Sequence, residues 1–393
     1  MTTALKQHWP FFLCAIFGAV MILVAMSGPN PGISVDSTRY IDAARSFIAN
    51  GSFGAYPYQP PGYPSLLMLS AGFGLSMVTF AGVVNVLCLV GTLFLAWSWL
   101  RQNTGSVAPL ALVAITFGFP ILLVHTYVWT EPPFILLVMM TLLLVSKYRS
   151  APSFNLGILI TITAGTAAMY RYSGFVLILA VAILLLSVER FRRAGAIMFV
   201  AALPALFWMI SRQGASVGVG TELPVDPDVA LWETGKTLIY WVLPLSWPWH
   251  VAVSPWVRFD IVGIVVVAIV GIMVVALATV LLMLILRVRP RDAVPSPVWP
   301  FIVFVALYVP FIVASNVLLN GRAGVPDTRL LSPIYIPLVF IGAYHLGRMR
   351  KGLTSAIVMS ALAVLLIMGV VRSGSQIQLA HNGGYASSTA TAR

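Results

Sequence analysis

Apolar residues run in long stretches along this chain, separated by short segments that hold nearly all of its charge. Runs near 20 residues, enough to cross a hydrocarbon core of roughly 30 Å, predict spans near 9–27, 76–99, 107–125, 132–146, 155–170, 173–188, 195–211, 260–286, 298–317, 329–346 and 353–371. Each of these eleven must be helical in lipid, where an unpaired backbone group finds no water. The predicted fold class is therefore an all-α polytopic membrane protein. Residues 1–372 form a single transmembrane domain with two long connecting segments, 28–75 and 212–259. The polar tail 373–393, rich in Gly, Ser, Thr and Ala, is expected to be disordered. Lys6 before the first apolar run imitates a signal peptide, but the run is long for one and a retained helix is expected.

Composition removes the alternatives. Of 393 residues 60% are hydrophobic and only 9% charged, whereas a soluble domain has about a quarter charged. Disorder requires low hydrophobicity and is excluded. The net charge of +12 would suit a nucleic-acid binder, until it is divided by side. With the N-terminus inside, the inner segments hold 13 basic residues against two acidic ones, leaving 10 basic and 9 acidic outside. Inner-face anchoring accounts for almost all of the excess, so nucleic acid drops out as a partner. Cys14 and Cys88 both fall in apolar stretches, which argues against a disulfide framework.

The mixed outer charges are the candidate chemistry. In the first outer segment, Tyr40, Ala43, Ala44, Phe47 and Ile48 recur at helical spacing from Ser37 to Ala49, before a natural Asn50-Gly51 stop. They predict a short amphipathic helix lying in the interface. Asp36 stands just before it, either as the cap of that helix or as a catalytic carboxylate, and capping would fix it in space for the second role. Asp42 is expected to be an ordinary helix-face charge. The turn that follows, Tyr56-Pro57-Tyr58-Gln59-Pro60-Pro61-Gly62-Tyr63-Pro64, is rigid and leads to a second short apolar segment at 65–75.

Glu131, with two prolines after it, reads as a helix start favoured by the helix dipole, yet a carboxylate hard against the bilayer needs a partner. His125 lies six residues before it. His125, Glu131 and Asp36 match no metal-ligand spacing, so no metal or other cofactor is expected. Arg171, Arg322 and Arg329 depart from the positive-inside pattern. They either pair with Asp327, Glu131 or lipid head groups, or clamp a phosphate, which suits the planar guanidinium. The segment 212–259 carries Trp232, Tyr240, Trp241, Trp247, Trp249 and Trp256 with His250 and Arg258. Such aromatics belong in an interfacial belt, and they also stack on sugars.

In their order along the chain, several features together with the short helix after Asp36 resemble the GT-C glycosyltransferases of the protein mannosyltransferase and lipid A aminoarabinose transferase type. They are Asp36 with the Gln-Pro-Pro-Gly-Tyr-Pro turn, Thr130-Glu131-Pro132, Arg171-Tyr172-Ser173-Gly174, and Asp327-Thr328-Arg329-Leu330-Leu331-Ser332-Pro333. The resemblance covers most of 1–346 and rests on order more than on identity. Many relatives carry two adjacent acids in the first loop, where this chain has Asp36 followed by Ser37. The resemblance implies transfer of a sugar from a polyprenyl-phosphate donor to a glycan, lipid or protein acceptor, with inversion, at the outer face of the cell membrane. Asp36 would be the general base, and Arg171, Arg329 and Arg322 would bind the donor phosphate. Glu131, His125, Tyr58, Trp232, His250 and Arg258 are the substrate-binding candidates. A transporter or lipid-linked glycan flippase is the rival class, disfavoured because the ionisable groups cluster at span ends and no repeat is visible. An O-antigen ligase or polymerase is a further alternative, which His250 and Arg258 keep open.

Overall fold

The computed structural model describes residues 3–28, 32–54, 59–186, 191–211, 234, 235, 237, 238, 296–318 and 328–348. The predicted spans at 260–286 and 353–371, almost all of the aromatic segment and the tail lie outside them. Among the described residues every regular element is helical. In chain order these are α1 (Thr3–Met26), α2 (Val35–Asn50), α3 (Gly62–Met68), α4 (Met77–Asn103), α5 (Ala108–Thr116), α6 (Phe119–His125) and α7 (Glu131–Ser150). Then follow α8 (Phe154–Tyr170), α9 (Gly174–Leu186), α10 (Phe191–Ser211), α11 (Trp299–Leu318), α12 (Thr328–Leu331) and α13 (Tyr335–Arg348).

Five helical stretches are long and apolar enough to cross a membrane, six if α5 and α6 count as one bent span, and α8, α9 and α11 are apolar but shorter. Their outward faces are apolar too. On α1, Phe12, Ile16, Val20 and Leu23 form an exposed stripe, and on α10 Phe199, Leu203, Phe207 and Ile210 form another. Water would penalise such stripes and lipid tails do not. The chain is a multi-pass membrane protein.

α4 is central, packing against α1, α5 and α7, while α8 packs against α7, α9 and α10, and α11 lies on α9 and α13. One buried polar side chain braces the backbone of the bundle. Asn85 of α4 donates to the carbonyls of His125 and Tyr127, both at 2.8 Å, holding the irregular stretch after α6 to the bundle.

Two expectations are corrected. The stretch predicted as one span at 107–125 breaks by 45° between α5 and α6. Gly118 sits at the break, where a Cβ would come within 2.5 Å of the Tyr335 ring, and Pro120 starts the next helix without an amide to continue the ladder. The interfacial helix begins at Val35, not Ser37, and Asp36 is not its cap. Ser34 caps it, with Oγ accepting from the Ser37 amide at 3.2 Å while Ser37 Oγ accepts from the Ser34 amide at 3.0 Å. This reciprocal pair lengthens α2 by one half-turn and puts Asp36 in its first turn. The stop is as expected, with Gly51 in the left-handed region at φ 66°.

Candidate functional site

α2 lies across one end of the bundle with Tyr40, Ile41, Ala43 and Ala44 buried against it. Asp36 lies one turn from Tyr40, so both side chains leave the helix on the same side. Three other segments converge there. Glu131 opens α7, Arg171 closes α8 and Arg329 lies in α12. Four charged residues singled out in the sequence thus form one connected cluster.

Arg329 is its centre. Its Nε donates to Glu131 Oε1 at 2.5 Å, its Nη1 donates to Asp36 Oδ2, and its Nη2 reaches Tyr40 Oη at 3.4 Å. Arg171 Nη1 donates to the same Glu131 oxygen and to Thr130 Oγ1 at 3.3 Å. Thr130 Oγ1 in turn approaches Glu131 Oε2 at 3.3 Å. The Glu131 side chain is fully buried, and those of Arg171 and Arg329 are only 12% and 16% exposed. Asp36 is the open member at 26%, with the exposed Arg39 at 3.3 Å from its other oxygen. Buried ions are tolerable only when matched like this, and the two carboxylates and two inner guanidiniums balance.

Burial pushes the Asp36 carboxyl up, but Arg329, through charge and hydrogen bond, and more weakly Arg39 and Arg171, bring it below the usual carboxylate value. Burial opposes the Arg171 charge, and Glu131 more than restores it. Burial raises the Tyr40 hydroxyl, with Arg329 opposing and the two carboxylates assisting, and it raises that of Tyr63 well above the ordinary phenol value. Both phenols are therefore neutral, and that of Tyr40 accepts from Arg329. Tyr63 packs edge-on against Tyr40 at 5.3 Å, and its buried hydroxyl has no partner among the described residues.

Several contributors carry no signal that sequence reasoning had used. Tyr40 could have been found from its i+4 spacing to Asp36. Trp129, whose ring lies 4.6 Å from Arg329 Cζ, could not, since nothing local links it to a residue so far along the chain. His125 stands apart from the cluster. It is fully buried, with Nδ1 at 2.7 Å from its own helix at Ile121 O. Tyr58, Trp232, His250, Arg258 and Arg322 lie outside the described residues.

An apolar groove of about 560 Å³ lies between α3, α8 and α10. Leu66, Leu69, Ile162, Thr166, Met169 and Val200 line it, and its wall reaches Tyr170, next to Arg171. The arrangement sets two arginines against one buried and one partly open carboxylate. No protein-family model matches the chain, and no curated protein matches it. Among solved structures it is similar to ArnT from Cupriavidus metallidurans bound to undecaprenyl phosphate, at 14% identity and a TM-score of 0.47 over 95% of this chain and 76% of that one. It is also similar to the apo state of the same ArnT, at 13% identity and a TM-score of 0.42 over 94% and 78%.

Proposed function

We propose that this chain is a membrane glycosyltransferase of the GT-C type, moving a sugar from a polyprenyl-phosphate donor to an acceptor hydroxyl with inversion. The observation that carries the reading is the shared Arg329, which bonds both the partly open Asp36 and the buried Glu131. In this reading the chain crosses the cell membrane eleven times with its N-terminus inside, and the cluster faces outward. The acceptor is a hydroxyl of a glycan, lipid or protein.

Each residue has a chemical task. The donor phosphate takes Arg329 and Arg171, whose fixed positive charge stabilises the negative charge growing on the leaving phosphate. Glu131, fully buried between both guanidiniums, holds them in place. The phosphate competes with Asp36 for Arg329. As Asp36 is released its carboxylate regains basicity, because the cation that had lowered its pKa now faces phosphate. It then accepts the proton of the acceptor hydroxyl while that oxygen bonds to the anomeric carbon. The bond from that carbon to the phosphate oxygen breaks, and polyprenyl phosphate leaves with the bonding pair. The isoprenoid tail occupies the groove between α3, α8 and α10, opening toward lipid.

Asp36→Asn tests the central step. Incubated with a panel of polyprenyl-phosphate sugars and analysed by mass spectrometry, it should lose transfer by roughly 10²–10⁴-fold, the usual worth of a general base. It should still bind polyprenyl phosphate. Near-normal turnover would remove Asp36 from the role of base.

A further inference from the structure

Trp129 carries no charge, yet it touches both Arg329 and the cap of the helix that bears Asp36. The residue is 1% exposed. Its ring lies 4.6 Å from Arg329 Cζ and stacks on Tyr127 at 4.4 Å with planes 18° apart. Its Nε1–H donates to Ser34 Oγ at 2.7 Å, the same oxygen that caps α2 two residues before Asp36. One residue earlier, the Val128 amide donates to Gly32 O at 3.0 Å. The turn between α6 and α7 is therefore fastened at two points to the start of the helix that carries Asp36.

Arg329 needs such a support. In the transferase reading the donor phosphate competes with Asp36 for Arg329, so the ionic partners of Arg329 exchange within each catalytic cycle. The indole face does not exchange. It attracts the cation whichever anion is present, and it does so most strongly where water is excluded.

We propose that Trp129 is a positioning residue of the transfer reaction, whose ring holds Arg329 while its anions exchange and whose N–H holds the cap of α2, and with it Asp36, in register. The inference rests on the transferase reading above. It separates two contributions that a single side chain makes through different atoms, so two substitutions separate them as well.

The experiment uses the full chain in lipid nanodiscs and measures donor KM and kcat for Trp129→Phe, Trp129→Leu and Ser34→Ala. Phenylalanine keeps an aromatic face and loses the N–H, so donor KM should stay within about twofold while kcat falls. Ser34→Ala removes the acceptor of that N–H and should lower kcat in the same way. Leucine loses both contributions, and donor KM should rise about tenfold with kcat lowered too. A residue that only filled space would lower the unfolding temperature in both Trp129 variants without dividing KM from kcat. The proposal is overturned if Trp129→Leu keeps the wild-type donor KM, or if the phenylalanine variant loses donor affinity as fully as the leucine variant. Where the leucine variant does not fold, unchanged kcat in both Trp129→Phe and Ser34→Ala overturns it. A wild-type chain that neither binds polyprenyl phosphate nor transfers any sugar overturns the transferase reading itself.

Discussion

Asp36 sits between two opposed influences, and the balance is measurable. Desolvation disfavours its charge, and Arg329 more than compensates, so the carboxylate stays ionised to a pH below the ordinary aspartate value of about 3.9. The acid limb of kcat/KM for the wild type should lie below that value. In Arg329→Gln the limb should move up past it, because burial then acts without its main counterweight. A limb that did not move would separate Asp36 from Arg329 in solution. The same pairing contributes to stability fully above the ordinary aspartate pKa, and that contribution is lost as pH falls through the lowered one. Glu131 presents the stronger stability case. Glu131→Ala leaves two nearly buried guanidiniums facing each other without their shared anion and should destabilise the protein by about 3–5 kcal/mol, read as a fall in thermal midpoint in detergent. These four residues were each visible in the sequence as charges that a membrane protein has to justify. Pairing of the arginines with Glu131 is one of the readings the sequence leaves open, whereas the bond from Arg329 to Asp36, so far apart in the chain, leaves no local pattern.

At the scale of elements, α2 is held at both ends and along its side. Gly32, just before it, has φ +46°, and a Cβ there would run into the Thr126 carbonyl and lie 2.9 Å from Tyr127 Cα. Gly32→Ala should therefore strain the backbone and push α2 off the turn at 126–130, which limited proteolysis would detect as faster cleavage near residues 28–34. Ser34→Ala should cost about 1 kcal/mol through loss of the cap alone. The helix, its buried face and its glycine stop were legible because they depend on neighbours three and four residues away. Its start was misread by two residues, since Ser34 and Ser37 act as a reciprocal pair and an aspartate between them draws the eye. The break between α5 and α6 was hidden for a different reason. Gly118 is forced by the ring of Tyr335, which belongs to a helix near the far end of the chain.

For the whole molecule, hydropathy alone gave the class, since only lipid tolerates the exposed stripes of α1 and α10. The groove between α3, α8 and α10 was not readable from any single helix, because each contributes only one wall. It makes a chain-length prediction. Thr166→Trp should raise KM severalfold for a long-chain donor and leave a donor with a short, soluble prenyl chain unaffected; equal effects on both would place the tail elsewhere. The cluster has a further consequence for how the protein is made. Asp36, Glu131 and Arg171 are synthesised well before Arg329, so the nascent bundle carries two acids against one inner base until the segment after α11 arrives. Arg171 can match the buried Glu131 within that nascent bundle, whereas Asp36 gains its inner cation only when α12 docks. The charge balance of the cluster is thus closed by the last of its four residues to be synthesised.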